Sequence, residues 1–411
     1  MYPVVEGDRT SILVTDAGRG SAVSIIRSLG QKGWRVIAAD SERDSLGFHS
    51  RFASEKLVYP SPESSPNEFI EEILDFVQKH PIGLVIPVTD GAILPLSEHR
   101  NRFSGLCEFA IPKIDALQVV TNKLQTLQLA AKVGVPTPST CLVHTAEEAF
   151  EEGKSLGFPM VLKPIRSRLY HSEAGTQAFT VSYATDEATL IEQMRRFEGK
   201  CPVLLQEYYP GSGQGVELLL ENGRPLAAFQ HKRLREIPVH GGASAFRESV
   251  PVDPVLYKYS VDLLAAIQWT GLAMVEFKIG EAGPKLMEIN GRVWGSIPLA
   301  ILSGMDFPAM LADLYLSRKT QEDQPVDTNY RIGVRARNLD LEIVWILAVL
   351  RGKNRYPFIQ YPNRWQAIRA IGQLFHPAYK FDVQSWQDPG PGLVELPKIA
   401  RKLGRKIREN T

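Results

Sequence analysis

Apolar runs and amphipathic stretches alternate along the first part of the chain. In SILVTDAGRGSAVSIIRSL an apolar run, a glycine turn and apolar positions at helical spacing predict strand, turn and helix. WRVIAAD (Trp34–Asp40) reads as a second strand, NEFIEEILDFVQKH as an amphipathic helix, and GLVIPVTD as a buried strand. Strands that alternate with helices predict a parallel sheet with right-handed crossovers. Residues 1–115 therefore read as one Rossmann-like α/β domain.

The pattern then changes. TNKLQTLQLAAKVGVPTPST predicts a helix ended by GVPTP. FPMVLKPI and TQAFTVSYAT predict strands around the loop RSRLYHSEAG, DEATLIEQMRRF a helix, and PVLLQEYYP a further strand. This strand-heavy block, 116–210, reads as a small α+β lobe, and antiparallel strands with helices make 211–318 a second, larger lobe. Residues 319–411 open with the polar linker RKTQEDQPVDTNY and continue through LEIVWILAVL and RWQAIRAIGQLF, so they read as a mostly helical extension.

The segment Gly271–Ser296, GLAMVEFKIGEAGPKLMEINGRVWGS, carries the most chemistry. AMVEFKI and KLMEIN read as strands and GEAGP as the turn between them. A hairpin symmetric about Ala282 sets Glu276 opposite Glu288, and the spacing of two puts Glu288 and Asn290 on one strand face. Opposed carboxylates repel, and a cation between them removes that penalty. Oxygen-only ligands suit Mg²⁺ or Mn²⁺, which also bind nucleotide phosphates. Arg292, two residues further on that face, can hold a phosphoryl or carboxylate group in its planar fork. The competing reading is an exposed hairpin with two solvated glutamates.

With its E-x-N-G-R run opposite a second Glu, residues 11 to about 315 resemble the ATP-grasp superfamily, nearest its carbamoyl-phosphate-synthase-like branch and predicted carboxylate–amine ligases. The resemblance implies that Glu276, Glu288 and Asn290 hold two Mg²⁺ ions and that Arg292 faces the reacting phosphate. It also implies ATP as cofactor and a cleft between the two lobes.

Other residues gain meaning beside that resemblance. Lys163 ends the strand MVLK just before Pro164, a fixed point charge suited to a nucleotide phosphate. Lys123 in TNK is similar to the family's other nucleotide lysine. In QEYYPGSGQGVELLL the family's hinge implies backbone contacts to adenine at Glu207, Tyr208 and Tyr209, and ribose contacts at Glu217; a simple glycine-rich hairpin loop is the rival reading. The phosphate loop falls on Arg166–Gly175, whose single glycine departs from the family pattern; the side chains of Ser167, Arg168, His171 and Ser172 offer substitutes for missing backbone donors. His231, Lys232, Arg233 and Arg235 form a basic cluster that could neutralise a transferring phosphate, with only one of Lys232 and Arg233 facing the site if they lie on a strand. That cluster equally reads as a solvated face.

Gly18-x-Gly20 after a strand, with Asp40 about twenty residues on, is part of a dinucleotide fingerprint, but Val23 stands where the third glycine belongs. Glycines that serve only packing are the favoured reading. Thr89 and Asp90, at the C-terminal end of a strand, sit where α/β sheets bind ligands.

Composition excludes several classes. A net charge of +1 gives no sign of nucleic-acid binding. Cys107, Cys141 and Cys201 lack metal or disulfide spacing and point to a reducing, cytoplasmic setting. The apolar stretch Ile343–Leu350 is too short to span a bilayer. The basic tail LPKIARKLGRKIRENT, with Ile399, Leu403 and Ile407 four apart, reads as a terminal helix with one docked face, membrane contact being the alternative. The extension either caps the site or mediates a homodimer. Together these readings predict an ATP- and Mg²⁺-dependent ligase that joins a small-molecule carboxylate to an amine through an acyl phosphate. A bicarbonate- or carbamate-phosphorylating enzyme of the carbamoyl-phosphate-synthase type and an ATP-binding scaffold without turnover are the competing readings.

Overall fold

The computed structural model describes residues 11–165, 168–171, 175–178, 181–317, 324–352, 354 and 356–408; for 168–171, 175–178 and 405–408 it describes the backbone only. Half of the loop expected at Arg166–Gly175, Ser167 and Ser172 included, therefore lies outside the described residues, and all of it, with Arg168 and His171, lies outside the described side chains.

The first sheet uses β1 (Ser11–Val14), β2 (Arg35–Asp40), β3 (Glu55–Val58), β4 (Ile82–Ile86) and β5 (Glu108–Phe109), all parallel in the order β3-β2-β1-β4-β5. Helices α1 (Gly20–Gln31), α2 (Pro66–Lys79), α3 (Asp90–Glu98) and α4 (Ile114–Thr121) belong to it. Every residue of β1 and β4 is buried, as a parallel sheet covered on both faces requires. Helix α2 begins with Pro66, whose fixed φ suits a first turn, and buries Phe69, Ile70, Ile73, Phe76 and Val77 along one stripe.

The fingerprint-like turn after β1 serves its own loop. Asp40 accepts the backbone N–H of Gly18 at 2.5 Å, that of Glu42 at 2.9 Å and the Ser45 hydroxyl at 2.8 Å. A carboxylate so occupied is a poor ribose ligand, which agrees with the packing role.

Helix α5 (Lys123–Val133) leads into a second sheet. Its strands are β6 (Thr140–Val143), β7 (Met160–Pro164), then β8 (Arg168–His171) and β9 (Gly175–Ala178) as a separate ribbon, β10 (Ser182–Ala184) and β11 (Val203–Glu207), with helices α6 (Ala146–Leu156) and α7 (Glu187–Arg195). The order is β10-β7-β11-β6, antiparallel throughout. This sheet keeps its own core of Val143, Met160, Leu162, Leu190, Met194 and Leu205.

The third sheet has β12 (Ser212–Glu221), β13 (Arg224–Ile237), β14 (Ala243–Val250), β15 (Gly271–Gly280), β16 (Gly283–Asn290), β17 (Arg335–Arg337) and β18 (Lys380–Phe381), ordered β16-β15-β12-β13-β14-β17-β18. Helices α8 (Pro254–Ala266), α9 (Ile297–Ser303) and α10 (Phe307–Ala312) accompany it. One apolar cluster runs from Leu13, Phe69 and Val85 to Val216, Leu263 and Trp269, so the first and third sheets share a core.

The extension is tied into that third sheet. A boundary at residue 318 would cut β17 and β18 from the sheet to which they belong, because β17 pairs with β14. Helices α11 (Leu339–Arg351), α12 (Arg364–Gln373) and α13 (Pro389–Arg408) follow. Trp345, Ile346 and Val349 of α11 are buried against Ala367 and Ala370 of α12. The tail helix α13 docks through Ile399, which is 4% exposed. Arg247 of β14 and Asp382 sit 2.5 Å apart with side chains 0% and 1% exposed. Asp382→Asn should leave Arg247 charged, buried and uncompensated, costing about 3–5 kcal/mol. The check is a lowered denaturation midpoint, read by calorimetry or chaotrope titration.

Candidate active site

The hairpin β15–β16 sets the centre of the site. Its two-residue turn gives pairs Gly280↔Gly283, Lys278↔Lys285 and Phe277↔Leu286. Continued unbroken, that register would set Glu276 against Met287. A bulge after Glu276 shifts it by one, and Glu276 pairs with Glu288. The expected partners thus meet through a tight turn plus a bulge in place of a turn symmetric about Ala282. Asn290 completes the set: its Nδ2 donates to Glu276 Oε1 at 2.9 Å and to Glu288 Oε1 at 3.3 Å.

Arg233 of β13 reaches the same carboxylates from two strands away. Its Nη2 lies 2.5 Å from Glu276 Oε2, and its Nη1 donates to Glu236 Oε1 at 3.0 Å. It must cross β12, which lies between. Gly213 makes room for the crossing, since a Cβ there would stand 3.0 Å from Arg233 Cδ, and Gly215 makes room for His231, whose Cε1 would stand 2.6 Å from a Cβ at that position. The glycines of PGSGQG therefore clear the sheet face beneath the site.

Two lysines close the other side. Lys163 of β7 and Lys123, the first residue of α5, both border Glu288. Burial pushes Lys163 down to about 8, against the pull of Glu288. Burial also lowers Lys123, again opposed by Glu288. Burial raises the Glu276 carboxyl to about 7 in spite of Arg233. For Glu288 burial acts upward too, but Lys123, Lys163 and Arg233 outweigh it and hold the group below the usual carboxylate range.

These groups line a cavity of about 450 Å³ between the second and third sheets, and a smaller chamber of about 150 Å³ adjoins it at Lys163, Glu288, Asn290 and Arg292. The crossing strand end, Glu207–Tyr209, forms one wall. Glu207 is bonded to Lys285, and the Tyr209 hydroxyl donates to Gly283 O at 2.6 Å. Arg292 lines both chambers and donates from Nε to Asp90 Oδ2 at 3.1 Å, joining the first sheet to the site.

Two expected residues are placed elsewhere. Glu217 is 0% exposed, 2.8 Å from His231 Nδ1, and accepts the Ser296 hydroxyl at 3.2 Å; it shares the strand face of Glu276, but Ser296 and Met274 cover it and it does not border the cavity. Lys232 is exposed and does not border the cavity, because on β13 it alternates with Arg233. Sequence reasoning missed Lys278, whose Nζ stands 5.3 Å from the Tyr208 ring centroid in the cavity wall. The signal was there: Glu276 and Lys278 share a strand face for the same reason as Glu288 and Asn290. It also missed Asn338 and Leu341, at the start of α11, for which no local pattern exists.

Among the described residues no three His, Cys, Asp or Glu side chains cluster as a metal site. The set here is two carboxylates and an amide, and a half-turn of Asn290 about its last torsion would present its oxygen. Half-buried, crowded, all-oxygen donors fit a hard divalent cation.

With this geometry in view, residues 200–338 match the family described as ATP-grasp in the biosynthetic pathway with Ter operon. The chain carries the ATP-grasp fold. The carbamoyl phosphate synthase large chain of Archaeoglobus fulgidus is 22% identical over 304 residues, 71% of this chain and 26% of that protein. This chain thus spans about a quarter of that relative's length. The ADP complex of purK, an N5-carboxyaminoimidazole ribonucleotide synthetase, superposes with a TM-score of 0.63 at 14% identity, covering 91% of this chain and 98% of that one. The L-amino acid ligase of Bacillus licheniformis gives a TM-score of 0.57 at 15% identity, over 78% of each chain. Each likeness below a quarter identity speaks to the ATP-grasp fold.

The placement of Glu217 is directly testable. Glu217→Ala should remove the partner of His231 and Ser296 and cost about 1–3 kcal/mol of stability. Nucleotide affinity, read by titration calorimetry, should stay unchanged; a large loss of affinity at full stability would restore Glu217 to the ribose site.

Proposed function

We propose that the chain is an ATP-dependent ligase that activates a carboxylate as an acyl phosphate and joins it to an amine. The observation that carries this reading is the half-buried Glu276–Glu288–Asn290 set facing Lys163 and Lys123 across one cleft. Those three side chains would hold Mg²⁺ or Mn²⁺, and we read them as ligands shared by two ions. When bound, the cations neutralise charge on the triphosphate.

Lys163 and Lys123 attract the phosphates as point charges. Glu207–Tyr209 offers backbone groups to the adenine edge and a wall to its ring. The substrate carboxylate attacks the γ-phosphorus in line, and the bond to the β,γ-bridging oxygen breaks to release ADP. Arg292 stabilises the charge that spreads over the transferring group. The amine nitrogen then attacks the acyl carbon, phosphate leaves with the bonding pair, and the amine loses a proton to solvent. No protein nucleophile is required. Arg233, paired with Glu276, lines the cavity where a substrate anion would sit. The second sheet's separate core suits a lobe that closes over the cleft and keeps water from the acyl phosphate.

All three cysteines are free, which fits the reducing, cytoplasmic setting we propose.

The primary test is ADP release across a panel of carboxylates and amines, with Glu288→Gln as control. Turnover in the wild type and loss in the variant is the expected result, and equal rates would remove the proposal. ADP release that needs bicarbonate alone would transfer the reading to the carbamoyl-phosphate-synthase type. Arg292→Ala should lower kcat by about 10²–10³ with little change in nucleotide affinity, as for removal of a group that meets charge only in the transition state.

A pH dependence also follows. Lys163 titrates at about 8 and is cationic only below that value, so affinity for ATP should fall as pH rises through it. Calorimetric titrations between about pH 7 and 9 should show the slope in the wild type and its absence in Lys163→Met.

A further inference from the structure

The extension carries a surface that the ligase reading leaves unused. From Ile343 to Phe381 the chain has no acidic residue, yet it holds Arg351, Lys353, Arg355, Arg364, Arg369 and Lys380. Within this stretch α12 has two apolar faces. Ala367 and Ala370 are buried against α11. On the outer side Trp365 is 76% exposed, Ile368 50%, Ile371 40% and Phe375, just past the helix end, 83%. Spacings of three, three and four place these four side chains in one stripe. A surface helix of a water-facing protein shows polar groups there. Arg364 and Arg369 of the same helix are exposed, as are Arg351 and Lys380.

The charge decides what fits. A symmetric contact between two copies would bring this acid-free cationic surface against itself. Isoleucines give a nucleic-acid base little to stack on. An apolar stripe ending in Trp and Phe, edged by arginines and set in a stretch of chain that carries no carboxylate of its own, suits the boundary between headgroups and acyl chains of an anionic bilayer. We infer that α12 docks the protein onto an anionic lipid surface, with Trp365, Ile368, Ile371 and Phe375 entering the interface. This is peripheral contact: among the described residues no single helix is long and apolar enough to cross a membrane.

The surface adjoins the cleft. Just before α12, the Tyr356 ring packs tilted 5.1 Å from Tyr183 and that of Phe358 edge-on 4.7 Å from Tyr208, centroid to centroid, and both partners line the cavity. Docking would therefore hold the cleft's rim near the lipid, although the inference stands whether or not the chain is a ligase.

The test is co-sedimentation of the full chain with vesicles of phosphatidylcholine alone or with phosphatidylglycerol as about one third of the lipid. Binding to the anionic vesicles only, weakened by salt, is expected. Arg369→Ala should weaken it about fivefold. The double substitution Ile368→Ser, Phe375→Ser should abolish it while melting temperature and ATP affinity stay unchanged, since both side chains are exposed. A blue shift of tryptophan emission on binding should vanish in Trp365→Phe. No binding to anionic vesicles at low salt would overturn the inference, as would equal binding by the double variant. A dimer in sedimentation that the double variant breaks would assign the face to a second copy, and capture of polyglutamate with no vesicle binding would assign it to an acidic polypeptide.

Discussion

Two half-buried carboxylates held face to face on paired strands repel each other, and the surroundings of Glu276 and Glu288 are arranged around that repulsion. Arg233 reaches over a strand of glycines to one of them, Lys163 and Lys123 lean toward the other, and Asn290 bridges both. The charges are balanced unevenly. Glu276 is driven up to about 7 while Glu288 stays below its usual range, so the pair shares less than two full negative charges near neutrality. A divalent cation can take over the role that Arg233 and the lysines now share, which frees those basic groups for anionic ligands.

Everything else positions that cluster. The third sheet supplies the carboxylates and Arg233, the second supplies Lys163 and the tyrosine wall, and the first supplies Asp90, which orients Arg292. The first and third sheets share a core, so Arg292 and the carboxylates are fixed relative to one another. The second sheet has its own core and meets them across the cavity. The extension closes the circuit by adding two strands to the third sheet and placing Asn338 and Leu341 in the cavity wall.

Much of this was legible from residue order. Strand alternation is local geometry, so the common face of Glu288 and Asn290 could be read directly, and the parallel character of the first sheet followed from alternating strands and helices. The same rule, applied to Glu276 and Lys278, would have found the missed lysine. It also warned that only one of Lys232 and Arg233 could face the site. The glycines of PGSGQG were read as part of a nucleotide hinge or as turn formers, whereas Gly213 and Gly215 lie in β12 and leave room for Arg233 and His231. The burial of Glu217 was not legible because burial depends on what covers a strand face, and the cover here is Ser296 and Met274, more than fifty residues away in the chain.

The sequence by itself determined the element order, the acid pair and its asparagine, the lysine at a strand end and the acid-free cationic stretch of the extension, because each depends on periods of two or 3.6 residues or on composition. Only the tertiary structure decided the bulge that brings Glu276 and Glu288 into register, the pairing of Arg233 with Glu276 across an intervening strand, and the entry of β17 and β18 into the third sheet. Those outcomes depend on which distant segments lie side by side, and side-by-side placement is settled by the joint packing of whole sheets, which no local window of residues contains.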